Sequence, residues 1–291
     1  MNKQDQLEWE ARWARPAAAA AILAALLLIT HVVLFQTLAE DRPGVEPLPD
    51  SLLSTDESPG TLLGAGVAQA LAMLLLIGVF LYLFRAIRAR EGQIPSWFVY
   101  LVVAGPVLYA IGLVLGPLDR IDVAEQFADG MPTEGERGEE RAENLLEDSV
   151  DIGVFIPSFA GQLATAFLFV MLPLRARRVG LLSPFMGILG VVTGALLVLQ
   201  ILGLVSFIIA AFWLGAVGAL YLGLWPGGRG PAWESGEPEP WPTQAQRRGL
   251  APPPEGGDGR GESLLEPPGP DQPEPEPVPE RPSSRKRRRR R

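Results

Sequence analysis

The chain has no cysteine and a single histidine, His31. Without cysteine it cannot form a disulfide, a thiolate metal site or an iron–sulfur cluster within itself. One histidine cannot supply both axial ligands of a bis-histidine haem. Lysine is scarce as well, with arginine outnumbering it 23 to 2. We read that bias as the coding habit of a GC-rich, bacterial genome and not as a device for recognising phosphate.

The absence with most consequence is that of charge from long apolar stretches. Residues 17–38, 61–84, 97–118, 152–174 and 183–225 contain no Asp, Glu, Lys or Arg. A helix rises about 1.5 Å per residue and the hydrocarbon core of a bilayer is about 30 Å thick, so about 20 apolar residues cross it. One charge at the centre of such a span costs about 2.5–3.5 kcal/mol on the insertion scale. A helix buried in a soluble protein normally keeps a polar face. The runs therefore predict an all-α integral membrane protein.

The stretch 183–225 is too long for one crossing and carries Gly203 near its middle, which divides it into spans at 183–203 and 204–225. The expectation is a bundle of about six transmembrane helices over residues 17–225, preceded by a cytoplasmic segment, residues 1–16. If the turn near Gly203 were missing, the count would fall to five and the C-terminal part would change sides. The first run also resembles a signal peptide, with small residues at Thr37-Leu38-Ala39. Its length, and Asp5, Glu8 and Glu10 ahead of it, favour a retained span.

Arginine and lysine accumulate in cytoplasmic loops, whereas acids contribute little to orientation. Arg85, Arg88 and Arg90 follow the second span, and Arg175, Arg177 and Arg178 follow the fourth. The loop 39–60 holds one arginine and six acids, and the loop 119–151 holds three arginines and twelve acids. With these two loops outside, 21 of 25 basic residues are cytoplasmic, and both termini face the cytoplasm of a multi-pass protein of the cell membrane.

From Pro226 to Arg291 the composition changes: this stretch holds 16 of the 28 prolines and reads as a disordered cytoplasmic tail with polyproline II character, too poor in apolar side chains to form a core. It ends in Arg285, Lys286, Arg287, Arg288, Arg289, Arg290 and Arg291. Near an anionic leaflet each such base contributes about 1 kcal/mol of attraction. Besides the bilayer itself, the expected partner is therefore anionic lipid through this run. Nucleic acid is the weaker expectation, and protein partners are not identified.

Candidate chemistry inside the membrane is sparse. His31, Gln69, Tyr109 and Gln162 fall at similar depth, about 10–15 Å from the outer edge, where they would form a polar layer open to a small solute from outside. Pro106 and Pro157 lie in the same region and would kink their helices. The plainer reading is that these groups hold helices together. Small residues at four-residue spacing, as in Gly64, Ala68 and Ala72, Gly112 and Gly116, Gly190 and Gly194, or Gly215, Ala219 and Gly223, mark packing seams. The acid-dense loop from Glu134 to Asp148 lacks the ligand alternation and turn glycine of a calcium loop and reads as solvated surface.

Segments 61–118 and 152–203 share a span, an arginine loop and a second span, a weak sign of parallel duplication. No nucleophile elbow, Walker, zincin or Cys-x-x-Cys pattern appears, and no carboxylate lies at depth to couple transport to protons or cations. The expectation is a non-catalytic structural or accessory membrane component without cofactor. The alternative is a carrier, channel or receptor for a small neutral solute using the polar layer.

Overall fold

Hydrocarbon offers no water to satisfy backbone N–H and C=O groups, so each apolar run must close its hydrogen bonds within itself as an α-helix. The computed structural model describes residues 2–38, 47–92, 94–149, 151–199, 203–226 and 228–241, and among the described residues every regular element is helical. In chain order these are α1 (Lys3–Gln36), α2 (Pro47–Glu57), α3 (Pro59–Arg90), α4 (Phe98–Ala128), α5 (Gly135–Asp148), α6 (Ile152–Arg178), α7 (Pro184–Leu199), α8 (Leu204–Tyr221) and α9 (Pro231–Ser235). Five of them, α1, α3, α4, α6 and α8, are long and apolar enough to cross a membrane, and α7 is a shorter apolar helix of 16 residues. The remainder from 242 onward, including Arg285 to Arg291, lies outside the described residues.

The apolar helices pack in the order α1, α3, α4, α6, α7, α8 and back onto α1, with α3 also reaching α6. Phe80 of α3, Phe169 of α6 and Trp213 of α8 meet in the buried interior, with ring centroids 5.0 Å apart for the first pair and 5.2 Å for the second. Trp213 donates its indole N–H to the carbonyl of Met186 on α7 at 3.0 Å. The outer surface is just as apolar, with Leu26, Val33, Leu71, Phe155, Ile188 and Phe212 exposed. In water such a surface would aggregate; in a multi-pass membrane bundle it is the face that meets lipid.

The stretch 183–225 forms two helices, α7 ending at Leu199 and α8 starting at Leu204. Gly203 stands at the start of α8 with φ 48°, a region that a residue without Cβ enters without steric cost. Pro106 and Pro157 lie inside helices assigned without interruption, as do Pro16, Pro117 and Pro173.

The helices outrun the apolar stretches, and three segments that composition groups with loops or tail are folded. Residues 3–16, expected as a separate cytoplasmic segment, are the first turns of α1, opened by a capping box between Asn2 and Asp5. The acidic stretches expected to be loops contain α2, α5 and the last ten residues of α4, which share a small core of Leu52, Val123, Ala124, Phe127 and Ala142. Arg141 of α5 donates to the carbonyls of Phe127 at 2.9 Å and Gln126 at 2.6 Å, so a cation closes the C-terminal end of α4. Residues 228–241, grouped by composition with the disordered tail, form α9 and the strap around it. Their aromatic residues Trp233 and Trp241 are buried, which supplies the apolar area that the prolines and acids lack.

Small residues bring α6 and α7 together. A Cβ at Gly190 would lie 2.5 Å from the ring of Pro173, and one at Gly194 would lie 2.7 Å from the carbonyl oxygen of Ala166. At Gly215 a Cβ would meet nothing within 4 Å. Gly190→Leu should therefore lower the thermal unfolding midpoint in mild detergent by several degrees, an overpacking cost of about 1–3 kcal/mol. Gly215→Ala should leave the midpoint unchanged or raise it slightly.

Candidate functional site

The densest set of polar contacts gathers where α3 ends. Three arginines fall in its last two turns because a helix C-terminus favours positive charge. The last of them, Arg90, turns inward. Its guanidinium forms a fork with the carboxylate of Glu10 on α1, at 2.6 and 3.0 Å. It donates to the Ala232 carbonyl of α9 at 3.1 and 2.6 Å, and to the Ala86 carbonyl at 2.8 Å. All its N–H groups are thus used, and the two side chains are 0% and 2% exposed. Gln6, one turn before Glu10, adds an amide donor to the same carboxylate at 2.7 Å.

Aromatic rings enclose this pair. Tyr82 of α3 stacks between Trp9 of α1, at 5.6 Å, and Trp233 of α9, at 5.4 Å, and Tyr221 of α8 meets its edge at 4.7 Å. The Tyr82 hydroxyl donates to the Glu10 carbonyl at 3.0 Å and accepts from Arg229 at 2.8 Å. Arg229 also lies over the Trp233 ring, 4.8 Å from its centroid, and Arg90 over the same ring at 5.5 Å. The Trp233 indole donates to the Leu181 carbonyl just beyond α6 at 2.9 Å. At the rim, Lys3 pairs with Glu237 at 2.7 Å, which holds that carboxyl below its ordinary value, and Arg175 at the end of α6 pairs with Glu91 at 2.9 Å.

The start of α1, the ends of α3 and α6, and the segment after α8 therefore meet at one end of the bundle. The arrangement is a latch. Its carboxylate is neutralised by Arg90, and the Tyr82 hydroxyl is engaged by an acceptor and a donor. Two buried atoms are left over here: Nε of Arg229 has no acceptor, and Oε2 of Glu91 has no donor.

The four residues expected to form a polar layer are all buried; Gln69 and Tyr109 meet each other, and His31 and Gln162 contact backbone carbonyls of other helices. Gln69 donates to the Tyr109 hydroxyl at 3.5 Å, a long contact joining α3 to α4. His31 Nδ1 lies 3.0 Å from the Ala65 carbonyl, with the His31 ring edge-on to Phe207. Gln162 turns the other way and donates to the Leu197 carbonyl of α7 at 2.7 Å. Between α1, α3, α6, α7 and α8 the void bordered by Leu28, Met73, Phe169 and Ser206 is about 10 Å³, no more than one water requires.

Nothing local in the sequence pairs Glu10 with Arg90, because 80 residues separate them. Trp233 did carry a signal: disordered segments are poor in aromatic residues, and a tryptophan among glycine and proline marks a place where the chain docks. The chain matches no family model, and neither a curated protein nor a solved structure matches it.

Removing one partner of the Glu10–Arg90 pair leaves a buried charge uncompensated, at a cost of about 3–5 kcal/mol. Glu10→Ala and Arg90→Ala should each lower the unfolding midpoint sharply. The double variant Glu10→Gln/Arg90→Met should recover a substantial part, measured as the coupling in a double-mutant cycle. Additive losses would contradict the pairing.

Proposed function

We propose that this chain is a non-catalytic structural or accessory component of the cell membrane, a six-span bundle with both ends cytoplasmic that works through the surfaces at its two ends. The observation that carries this reading is the use to which the interior polar side chains are put. His31 and Gln162 bond to backbone carbonyls and Gln69 bonds to Tyr109, and the void bordered by Phe207 and Leu197, which contact His31 and Gln162, is about 10 Å³, too small for a solute. A carrier or receptor using that layer needs those groups free and facing a common cavity.

Six spans are supported by the return of the chain. Trp233, beyond α8, bonds to Leu181 at the end of α6, so α7 and α8 leave one end of the bundle and come back to it. The cytoplasmic assignment of that end rests on charge: Lys3, Arg85, Arg88, Arg90, Arg175 and Arg229 belong to it, whereas the acid-rich α2 and α5 belong to the other side of the chain's alternation.

Because the chain lacks cysteine, a single introduced cysteine reports without background. In intact cells a membrane-impermeant maleimide should label Glu143→Cys, while Ala89→Cys should react only after permeabilisation. The reverse pattern would refute the orientation. Gln69→Cys should stay unreactive from both sides; labelling of that position from outside would instead favour the solute-carrier reading.

A further inference from the structure

Two arginines at the latch end are not part of the latch. Arg85 and Arg88 of α3 are exposed, and neither makes an ion pair or hydrogen bond among the described residues, Arg85 only resting over the Trp9 ring at 5.1 Å. Three acids at this end are engaged by other cations, Glu10 by Arg90, Glu91 by Arg175 and Glu237 by Lys3, and Asp5 caps the start of α1, while Glu8 and Glu234 form no ion pair with either arginine. Among the described residues the two cations therefore have no ion-pair partner, and they stand beside three adjoining clefts.

One cleft, about 400 Å³, is a largely apolar trough between α1 and α3, lined by Trp13 and Ala17 of α1 and Gly78 and Leu81 of α3, with Val99 at the start of α4 also in its lining. It ends at Trp9 and Arg85, which are shared with an open polar cleft of about 810 Å³ that also contains Lys3, Gln6 and Arg88. The third, about 370 Å³, runs from the same two arginines past Trp97 and Tyr100. Trp13, Trp97 and Tyr100 are 48%, 60% and 74% exposed. Exposed Trp and Tyr beside apolar helix surface mark the headgroup level of a bilayer, where a ring keeps one part dry and its polar atom wet. A ligand matching this surface has a long apolar part lying toward the membrane interior and an anionic group at the interface.

We propose that an anionic glycerophospholipid of the adjoining leaflet docks here, one acyl chain in the trough between α1 and α3 and its phosphate on Arg85 and Arg88. Guanidinium groups bind phosphate oxygens through paired N–H donors, and a cation near the headgroup layer has less competition from water than one in solution. The trough supplies the apolar contact that distinguishes a seated lipid from a diffuse counter-ion. The site is separate from the C-terminal basic run and does not depend on whether the bundle is catalytic or on which leaflet it faces.

The test uses the full chain with Arg285 to Arg291 replaced by Gly and Ser, so that tail contacts do not contribute. Native mass spectrometry from a neutral detergent compares dioleoyl phosphatidylglycerol, dioleoyl phosphatidylcholine and glycerol 1-phosphate. One phosphatidylglycerol per chain should persist, bound at least about tenfold more tightly than phosphatidylcholine, with no retention of glycerol 1-phosphate. Arg85→Gln/Arg88→Gln should remove that preference, and Arg85→Lys/Arg88→Lys should keep most of it. Equal binding of the two lipids, or a preference that survives Arg85→Gln/Arg88→Gln, overturns the proposal; retention of glycerol 1-phosphate would show a phosphate site without a lipid trough and overturn it also. Should the glutamine variant fail to fold, a phosphatidylglycerol with a diazirine in its acyl chain decides on the unaltered residues: cross-links should map to peptides containing Trp13–Ala17 and Gly78–Leu81, and their absence from both rejects it.

Discussion

Helices that are as apolar outside as inside gain little from the hydrophobic effect when lipid replaces water around them, so their cohesion has to come from close packing and from polar bonds between them. That constraint organises the whole bundle. Gly190 and Gly194 let α7 approach the α6 backbone, and the void near Phe169 and Ser206 is no larger than a water. Gln69, Gln162 and Trp213 are spent on hydroxyl and carbonyl groups of neighbouring helices. A polar group inside such a bundle is costly unless paired, and pairing it to the next helix turns the cost into a connection.

The ends of the bundle meet water and are held by different means. On the acid-rich side, α2 and α5 lie on the last turns of α4 around Leu52 and Phe127, with Arg141 closing the α4 carbonyls. At the other end a buried ion pair and a stack of three aromatic rings join elements from the beginning, middle and end of the described chain. An ion pair in a dry site needs every remaining donor filled to offset its desolvation. Arg90 meets that condition through the Ala232 and Ala86 carbonyls, which is why α9 belongs to the latch and is not an appendage of it.

The apolar helices were legible in the sequence because the absence of charge over about 20 residues has one physical meaning in hydrocarbon, and the break near Gly203 was legible because the run was too long for a single span. The folded parts of the acidic stretches were not. α5 buries little besides Ala142 and the sides of Leu145 and Leu146, and its many acids hide that narrow stripe from any reading of average polarity. For the polar layer the sequence offers only a count of residues along each helix, whereas direction around the axis depends on which neighbour each helix packs against. Gln162 faces α7 and Gln69 faces α4, a difference that single-chain spacing does not encode.

The three arginines at the end of α3 show how one local pattern serves two purposes. At about 100° per residue, Arg90 points about 140° away from Arg85 and about 160° away from Arg88. The helix that turns Arg90 into a dry site against Glu10 must therefore leave the other two on its far side, beside Trp9, Leu81 and Val99. Topogenic charge alone would be satisfied by three bases anywhere in this loop. Their phase decides which is locked and which stay available, and it places the available ones where the apolar surface of α1 and α3 reaches the interface.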